Sequence, residues 1–325
     1  MKAAIYTTYG PPERLGITDV PKPSPKADEV LVRIYATTVN RTDRGFLRGI
    51  PRIVRLFAGL RVPKNTILGN EFAGQVEAIG ANVRSFQVGD RVFGYDDVRF
   101  GSHAGYRTMP ESGMLALIPS DLGYEEAAPI TEGAHYALGN LRKAGVAPGH
   151  KVMIYGATGA IGSAALQLAK HLGAQVTAVG DTARQDLLAS LGADRVIDYT
   201  REDFTKAGQD YDFVFDAVGK SSFRACRELL KPGGIYCSSD PGFWWQNPFL
   251  ALWTSRFGVR KVIFPIPRNR KEDVVCLKEL VEAGEFKPVI DRRYPLDDIV
   301  EAFRYVETGR KTGNVVITVS HEDPA

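Results

Sequence analysis

The rhythm of apolar and polar positions changes once along the chain, near residue 123. Before that point, short runs of strand type such as Val30-Leu31-Val32-Arg33-Ile34-Tyr35 are separated by turns rich in proline and glycine. Met1-Lys2-Ala3-Ala4-Ile5-Tyr6 reads as a strand, and Pro21, Pro23 and Pro25 punctuate the connection that follows. Glu71 to Gly80 reads as a long strand ending in a turn, and Val88 to Gly94 as a turn followed by a strand. After residue 123 strands and helices alternate. Lys151-Val152-Met153-Ile154-Tyr155 is a buried strand, and Ile161, Ala165, Leu168 and Leu172 then recur at helical spacing. Further strands are expected at Gln175–Val179, Arg195–Ile197, Tyr211–Asp216, Gly234–Ser238 and Lys261–Ile266. This strand–helix alternation predicts a parallel doubly wound sheet, an α/β fold. Toward the end, Asp297–Glu307 reads as an amphipathic helix and Asn314–Val319 as a strand. That tail is expected to rejoin the first segment, so that 1–122 is completed by 289–325 and encloses a second domain at 123–288.

Composition narrows the function classes. A chain of 325 residues suits two domains, and 44% apolar with 24% charged residues is ordinary for a soluble globular protein. A net charge of +3 is small for this length and gives no basis for a nucleic-acid binder. Cys226, Cys237 and Cys276 are far apart and form no metal or disulfide pattern, which fits reduced thiols in a cytoplasm. No run of 18 apolar residues occurs, and the N-terminus has no signal-peptide pattern. The expectation is a cytoplasmic protein without stable membrane insertion.

The first candidate chemistry lies in Gly156-Ala157-Thr158-Gly159-Ala160-Ile161-Gly162, between the strand at 151–155 and the helix that follows. A helix N-terminus offers unpaired N–H groups and a positive dipole end to a pyrophosphate. Gly159 lets the backbone approach the ligand, and Gly162 lets helix and strand pack closely. The ligand expected is a nicotinamide dinucleotide. The next strand ends in Val179-Gly180, followed by Asp181-Thr182-Ala183-Arg184. Arg184 suits a 2′-phosphate, whereas a carboxylate at Asp181 opposes one. The balance favours NADPH over NADH, and the bland reading of Arg184 is a solvated side chain at a helix start.

With these motifs in order, the chain resembles the medium-chain dehydrogenase/reductase superfamily along essentially its whole length. The resemblance rests on Gly69-Asn70-Glu71, a variant of the family's Gly-His-Glu, on Val88-Gly89-Asp90-Arg91-Val92, on the glycine loop and on the C-terminal helix and strand. It implies a Rossmann domain and a GroES-like, mostly β catalytic domain. Zinc members carry Cys where this chain has Asn40 and His where it has Asn70, and a neutral amide is a poor zinc ligand. Asn40-Arg41-Thr42-Asp43-Arg44-Gly45-Phe46-Leu47-Arg48 instead resembles the Asn-x-x-Asp-x-x-x-x-Arg pattern of the zinc-free quinone oxidoreductases. That likeness implies catalytic roles for Asn40 and Thr42. It implies cofactor contacts from Thr131, Gly156, Thr158, Gly159, Ala160, Ile161, Gly162, Arg184, Tyr199, Val218, Phe264 and Asn314. One departure is Gly133, preceded by Glu132, where relatives often place threonine near the nicotinamide.

Several residues carry two readings. The Asn40 amide suits a donor to a substrate carbonyl or a nicotinamide ribose, and equally suits turn chemistry. Asp43 and Arg48 are expected to form a structural ion pair, and His135 to pack on a helix; His103 has no partner at metal spacing. Residues 41–64 hold six arginines and Lys64 against the single acid Asp43, read as a solvated lid or as an attraction for an anionic ligand. All three tryptophans fall within Phe243–Trp253, read as core or subunit interface, as a wall for an apolar substrate, or as a membrane-surface contact. Together these readings predict a zinc-independent, NADPH-dependent reductase that passes hydride to a quinone or an α,β-unsaturated carbonyl. The alternatives are an aldehyde or enoyl-thioester reductase on the same scaffold, or a cofactor-binding protein without turnover. The expected partners are a small apolar electrophile and a second copy of the chain, paired through the edge strand at 261–266.

Overall fold

The computed structural model describes residues 1–208, 210–242, 245–266 and 268–321. It divides into two compact units, Met1–Glu132 with Asn269–Glu282 and Pro288–Ala325, and Gly133–Arg268 with Ala283–Lys287. This differs from a single inserted segment at 123–288. Tyr124 stacks on Tyr35, 4.6 Å between ring centres, which holds the first turn after residue 122 to the first unit. Helix Lys271–Glu282 packs on strand Met114–Leu117, and Lys271 Nζ donates to the Glu111 carbonyl at 2.6 Å.

In the first unit a seven-stranded sheet runs in the order Ile290–Pro295, Asn314–Thr318, Glu29–Val39, Glu71–Ile79, Arg91–Tyr95, Met114–Leu117, with Tyr106–Pro110 also paired to Glu29–Val39. Glu29–Val39 therefore has three strand neighbours and is buried along almost its whole length. That is why its sequence is nearly continuous in apolar residues instead of strictly alternating. Asn314–Thr318 pairs antiparallel with its C-terminal half, so the end of the chain completes the sheet. The amphipathic helix occupies Ile299–Glu307, preceded by one 3₁₀ turn at Leu296–Asp298. The basic segment forms two short helices, Arg41–Arg48 and Val54–Ala58.

The second unit holds six parallel strands in the order Arg195–Asp198, Gln175–Gly180, Lys151–Tyr155, Tyr211–Asp216, Leu230–Ser238, Lys261–Ile263. Numbered within the unit this is 3-2-1-4-5-6, the doubly wound dinucleotide order, whose ligand crevice lies beyond the carboxyl ends of the strands where the order reverses. The last strand stops at Ile263, three residues short of the expected end. Pro265 has no N–H to donate to a ladder, and Ile266 is exposed. Phe243, Trp244 and Pro267, which belonged to the tryptophan and edge-strand readings, lie outside the described residues. Helix Gln246–Phe257 carries Phe249, Leu252, Trp253 and Phe257 exposed, so these four side chains are not core. No helix among the described residues is long and apolar enough to cross a membrane.

Candidate active site

The candidate dinucleotide cradle is built by the turn from strand Lys151–Tyr155 into helix Ala160–His171. Gly159 caps this twelve-residue helix without a side-chain hydrogen bond, which leaves the N–H groups of Ala160, Ile161 and Gly162 to an anion. A Cβ on Gly162 would lie 2.1 Å from the Gly156 carbonyl oxygen, so only glycine allows the helix this close to the loop. A Cβ on Gly159 would meet nothing nearer than 3.7 Å, which leaves that side of the loop open. Val218 packs against Gly156, where an added Cβ would come within 2.4 Å of its Cγ1. The Val218 turn is held by the buried Asp216 carboxylate, which accepts from the N–H groups of Val218 at 3.1 Å, Gly219 at 2.7 Å and Ser221 at 2.8 Å. A cavity of about 740 Å³ adjoins this turn, lined by Phe204, Gly219, Ser221 and Asp240. These residues suit a bound dinucleotide. Gly133 has its own reason to lack a side chain, since a Cβ there would lie 2.8 Å from the Ala160 carbonyl.

At the end of the second strand, Arg184 Nη1 donates to Asp181 Oδ2 at 2.5 Å. Asp181 Oδ1 is buried and has no partner among the described residues. Tyr199 is brought alongside, its N–H donating to the Gly180 carbonyl at 3.1 Å and its ring half exposed. Both discriminating groups, the acid and the arginine, thus occupy one ion pair. Thr158 is partly exposed on the loop, and Phe264 is half-buried just beyond the last strand.

The first unit carries a buried polar cluster. Asn40 is the N-cap of helix Arg41–Arg48: its Oδ1 accepts from the Asp43 N–H at 3.0 Å, and Asp43 Oδ2 accepts from the Asn40 N–H at 3.2 Å. Asp43 Oδ1 also accepts from the Gly69 N–H at 2.9 Å. The expected Asp43–Arg48 ion pair does not form. Five residues apart on a helix places two side chains on different faces. Asp43 points inward, while Arg48 binds Glu307 through Nε and Nη2, both at 2.6 Å. Burial holds the Asp43 carboxyl well above the usual range, against the pull of its N–H donors.

Asn40 Nδ2 donates to Asn70 Oδ1 at 2.6 Å, while the buried Asn70 Nδ2 has no partner among the described residues. Both oxygens of the fully buried Glu71 are engaged. Thr38 donates to one at 2.6 Å; Thr131 at 2.8 Å and the Glu132 N–H at 2.7 Å donate to the other. Neutral amides in mutual contact and a carboxylate bound to hydroxyls do not suit zinc. Among the described residues no group of three His, Cys, Asp or Glu side chains is placed to hold a metal. Thr42 is partly exposed and donates to Glu132 Oε1 at 3.0 Å. Burial, and then the charge of Glu71, push Glu132 up to about 7, while Lys311, Thr42 and Arg41 pull it down. Glu71 is raised by its own burial, and Lys311 is lowered by burial against the pull of both acids. Sequence reading missed this coupled group, because its members meet only through strand pairing; the Gly-Asn-Glu motif and Glu132 were its visible parts.

The other candidates are structural in their contacts. Asn314 is buried, and its Nδ2 donates to the Val289 carbonyl at 3.0 Å. His103 is fully buried, its Nε2 bonds the Thr38 carbonyl at 2.7 Å, and burial lowers it to about 4, so it is neutral. His135 is buried in helix Glu132–Ala144.

Glu132 sets a pH test of this cluster. Its folded value of about 7 lies above the ordinary 4.5, so its ionisation opposes folding. The stability it leaves in place is complete below about 4.5 and is lost as pH rises through about 7. Glu132→Gln removes that loss while keeping an acceptor for Thr42. Chemical denaturation should find the variant about 1–3 kcal/mol more stable than wild type near pH 8 and no more stable near pH 4. Equal differences at both pH values would show that folding does not raise the Glu132 pKa.

The comparisons agree with this geometry. Residues 26–120 match the alcohol dehydrogenase GroES-like domain, and residues 191–317 match a zinc-binding dehydrogenase domain. The chain is 35% identical to a 2-methylene-furan-3-one reductase of Solanum lycopersicum, over 98% of this chain and 79% of that one. It is 30% identical to a chloroplastic NADPH-dependent alkenal/one oxidoreductase of Arabidopsis thaliana, with the same coverage. Its fold is similar to that of the quinone oxidoreductase from Coxiella burnetii, with a TM-score of 0.88 and 26% identity over 98% of this chain and 99% of that one.

Proposed function

The chain belongs to the quinone oxidoreductase-like part of the medium-chain dehydrogenase/reductase superfamily, and on that premise we propose that it is an NADPH-dependent, zinc-independent reductase of α,β-unsaturated carbonyl compounds or quinones. The observation that carries the reading is the Asn40–Asn70 amide pair, standing at the positions where zinc members keep metal ligands, in a chain that keeps the dinucleotide loop. An unactivated aldehyde or ketone needs a Lewis acid or a well-placed proton donor to accept hydride. An enone, alkenal or quinone is electron-poor enough to accept it with hydrogen-bond polarisation alone. The named substrates of the relatives, a methylene-furanone and alkenals or alkenones, are conjugated carbonyls.

The residues of this chain divide the work. The loop Gly156–Gly162 would hold the pyrophosphate, and Arg184 and Tyr199 the adenosine ribose end. When bound, the reduced nicotinamide supplies the hydride. The protein binds, orients and excludes water, which is where catalysis by the scaffold lies in cofactor chemistry of this kind. The test is a panel of acceptors with both reduced nicotinamides, followed by loss of nicotinamide absorbance. Turnover of an enone, alkenal or quinone well above a saturated aldehyde, unaffected by a chelator, is the expected result. A saturated aldehyde as best acceptor, with activity abolished by chelation, would overturn the proposal.

A further inference from the structure

The segment after helix Arg41–Arg48 turns its apolar side chains outward. Ile50, Ile53, Leu56, Phe57, Leu60 and Val62 are all exposed, Phe57 at 75% and Leu60 at 68%. Ile53, Leu56 and Phe57 fall at i, i+3 and i+4, so they share one side of the helical turn at Val54–Ala58. Ala58 and Pro63 are buried and hold the loop to the first unit. Its backbone is fixed as well. The Gly59 N–H donates to the Arg55 carbonyl at 2.9 Å, the Tyr9 hydroxyl to the Gly59 carbonyl at 2.6 Å, and the Lys64 N–H to the Ala58 carbonyl at 2.7 Å. A Cβ on Gly59, whose φ is +119°, would lie 2.0 Å from the Val62 carbonyl oxygen, so the reversal that brings out Leu60 requires glycine. Single exposed apolar residues are ordinary, but six on one anchored loop mark an interaction surface.

Charge decides what covers it. Between Asp43 and Glu71 there is no acid, against five arginines and Lys64. Arg44 and Arg48 are taken up by Glu307, and Arg55 lies over the Tyr9 ring. Arg52, Arg61 and Lys64 are exposed and have no ion-pair partner among the described residues. A second copy meeting this face about a twofold axis would bring the same cations together, which opposes self-association. A nucleic acid would meet the cations and leave Leu56 and Leu60 in water. An anionic bilayer meets both: its acyl region takes the apolar side chains, and its headgroups take the cations, whose alkyl stems reach past them.

We propose that residues 50–64 seat the first unit on the surface of an anionic lipid bilayer. Leu56, Phe57 and Leu60 enter the boundary between headgroups and acyl chains, and Arg52, Arg61 and Lys64 bind the anionic headgroups. The protein lies on the membrane and does not span it, in keeping with the lack of a spanning helix among the described residues. The contact is reversible and salt-dependent, because cations supply much of the attraction. It stands independently of the reductase reading.

Cosedimentation of the full chain with sucrose-loaded vesicles tests this. Vesicles of phosphatidylcholine with phosphatidylserine should pull down wild type at low ionic strength and release it as salt rises. Vesicles of phosphatidylcholine alone should hold at least about tenfold less. Arg52→Gln, Arg61→Gln and Lys64→Gln together should lower partitioning about 10²-fold and flatten the salt dependence. Phe57→Ser with Leu60→Ser should lower it about tenfold or more and keep the salt dependence. All five positions are exposed, so both variants should melt as wild type does. If one fails to fold, the other and the lipid comparison decide. Wild type that stays in the supernatant with every vesicle, or binding that both variants retain, overturns the proposal. Full binding by Phe57→Ser with Leu60→Ser alone overturns it too, since the loop would then be a polyanion site. A soluble dimer that this variant breaks into monomers, with no vesicle bound by wild type, overturns it in favour of a second copy.

Discussion

Gly162→Val is expected to weaken dinucleotide binding by about two orders of magnitude or more and to lower thermal stability with it. The added Cβ would sit 2.1 Å from the Gly156 carbonyl oxygen and 2.8 Å from Ala157 Cα. Both are backbone atoms of the loop itself, so no rotamer change relieves the clash. The helix Ala160–His171 must move away from the end of strand Lys151–Tyr155, and its N-terminal N–H groups move with it. Overpacking an ordinary core costs about 1–3 kcal/mol, and each 1.4 kcal/mol is tenfold in affinity. Gly159→Ala is the contrasting variant. Its nearest neighbour is 3.7 Å away and its φ of −78° suits any residue, so the free protein should melt as wild type does. The methyl group would meet only the ligand, where the backbone approaches the pyrophosphate. Tryptophan-quenching titration with reduced nicotinamide and a thermal melt separate the two. A Gly162→Val protein with wild-type affinity would show that the loop is not the cradle.

The elements that the sequence showed most clearly are those whose neighbours do not alter their pattern. Tyr211–Asp216 runs from the expected first residue to the expected last, since it lies between two parallel strands and is buried on both faces. Lys261–Ile263 falls short because Pro265 breaks the ladder, a signal present in the sequence and outweighed there by the apolar run. Asn40 shows a different limit. Its turn reading is met as a helix cap, and its amide donates to Asn70, a partner that only coordinates reveal. Asp43 and Arg48 are close in sequence yet point apart, and Arg48 finds its acid 259 residues away at Glu307. Glu132 was visible as an unusual acid, but its raised pKa depends on burial beside Glu71 and the counter-pull of Lys311, which no local pattern contains.

Cofactor choice should turn on the Asp181–Arg184 pair, and in opposite directions for its two members. A 2′-phosphate brings charge that Arg184 can meet, but Arg184 Nη1 is held 2.5 Å from Asp181 Oδ2. Binding NADPH therefore shares or breaks that bond and places a dianion beside a carboxylate. NADH presents a 2′-hydroxyl instead, and Asp181 Oδ1 is a buried acceptor with no partner among the described residues. The ion pair itself is partly exposed, at 32% and 24% for the two side chains, so its own strength is modest. The phosphate contact is the larger effect, at roughly 1.5–3 kcal/mol for a charge-assisted hydrogen bond. Arg184→Ala should raise the Kd for NADPH about tenfold or more and leave NADH nearly unchanged. Asp181→Ser should tighten NADPH and weaken NADH, because it removes the repulsion and the hydroxyl's acceptor together. Across the two variants the preference for NADPH over NADH should span about 10²-fold, read by titration with each reduced cofactor at fixed ionic strength. Parallel changes in both affinities would mean that this strand end does not read the ribose, and that the preference lies elsewhere in the second unit.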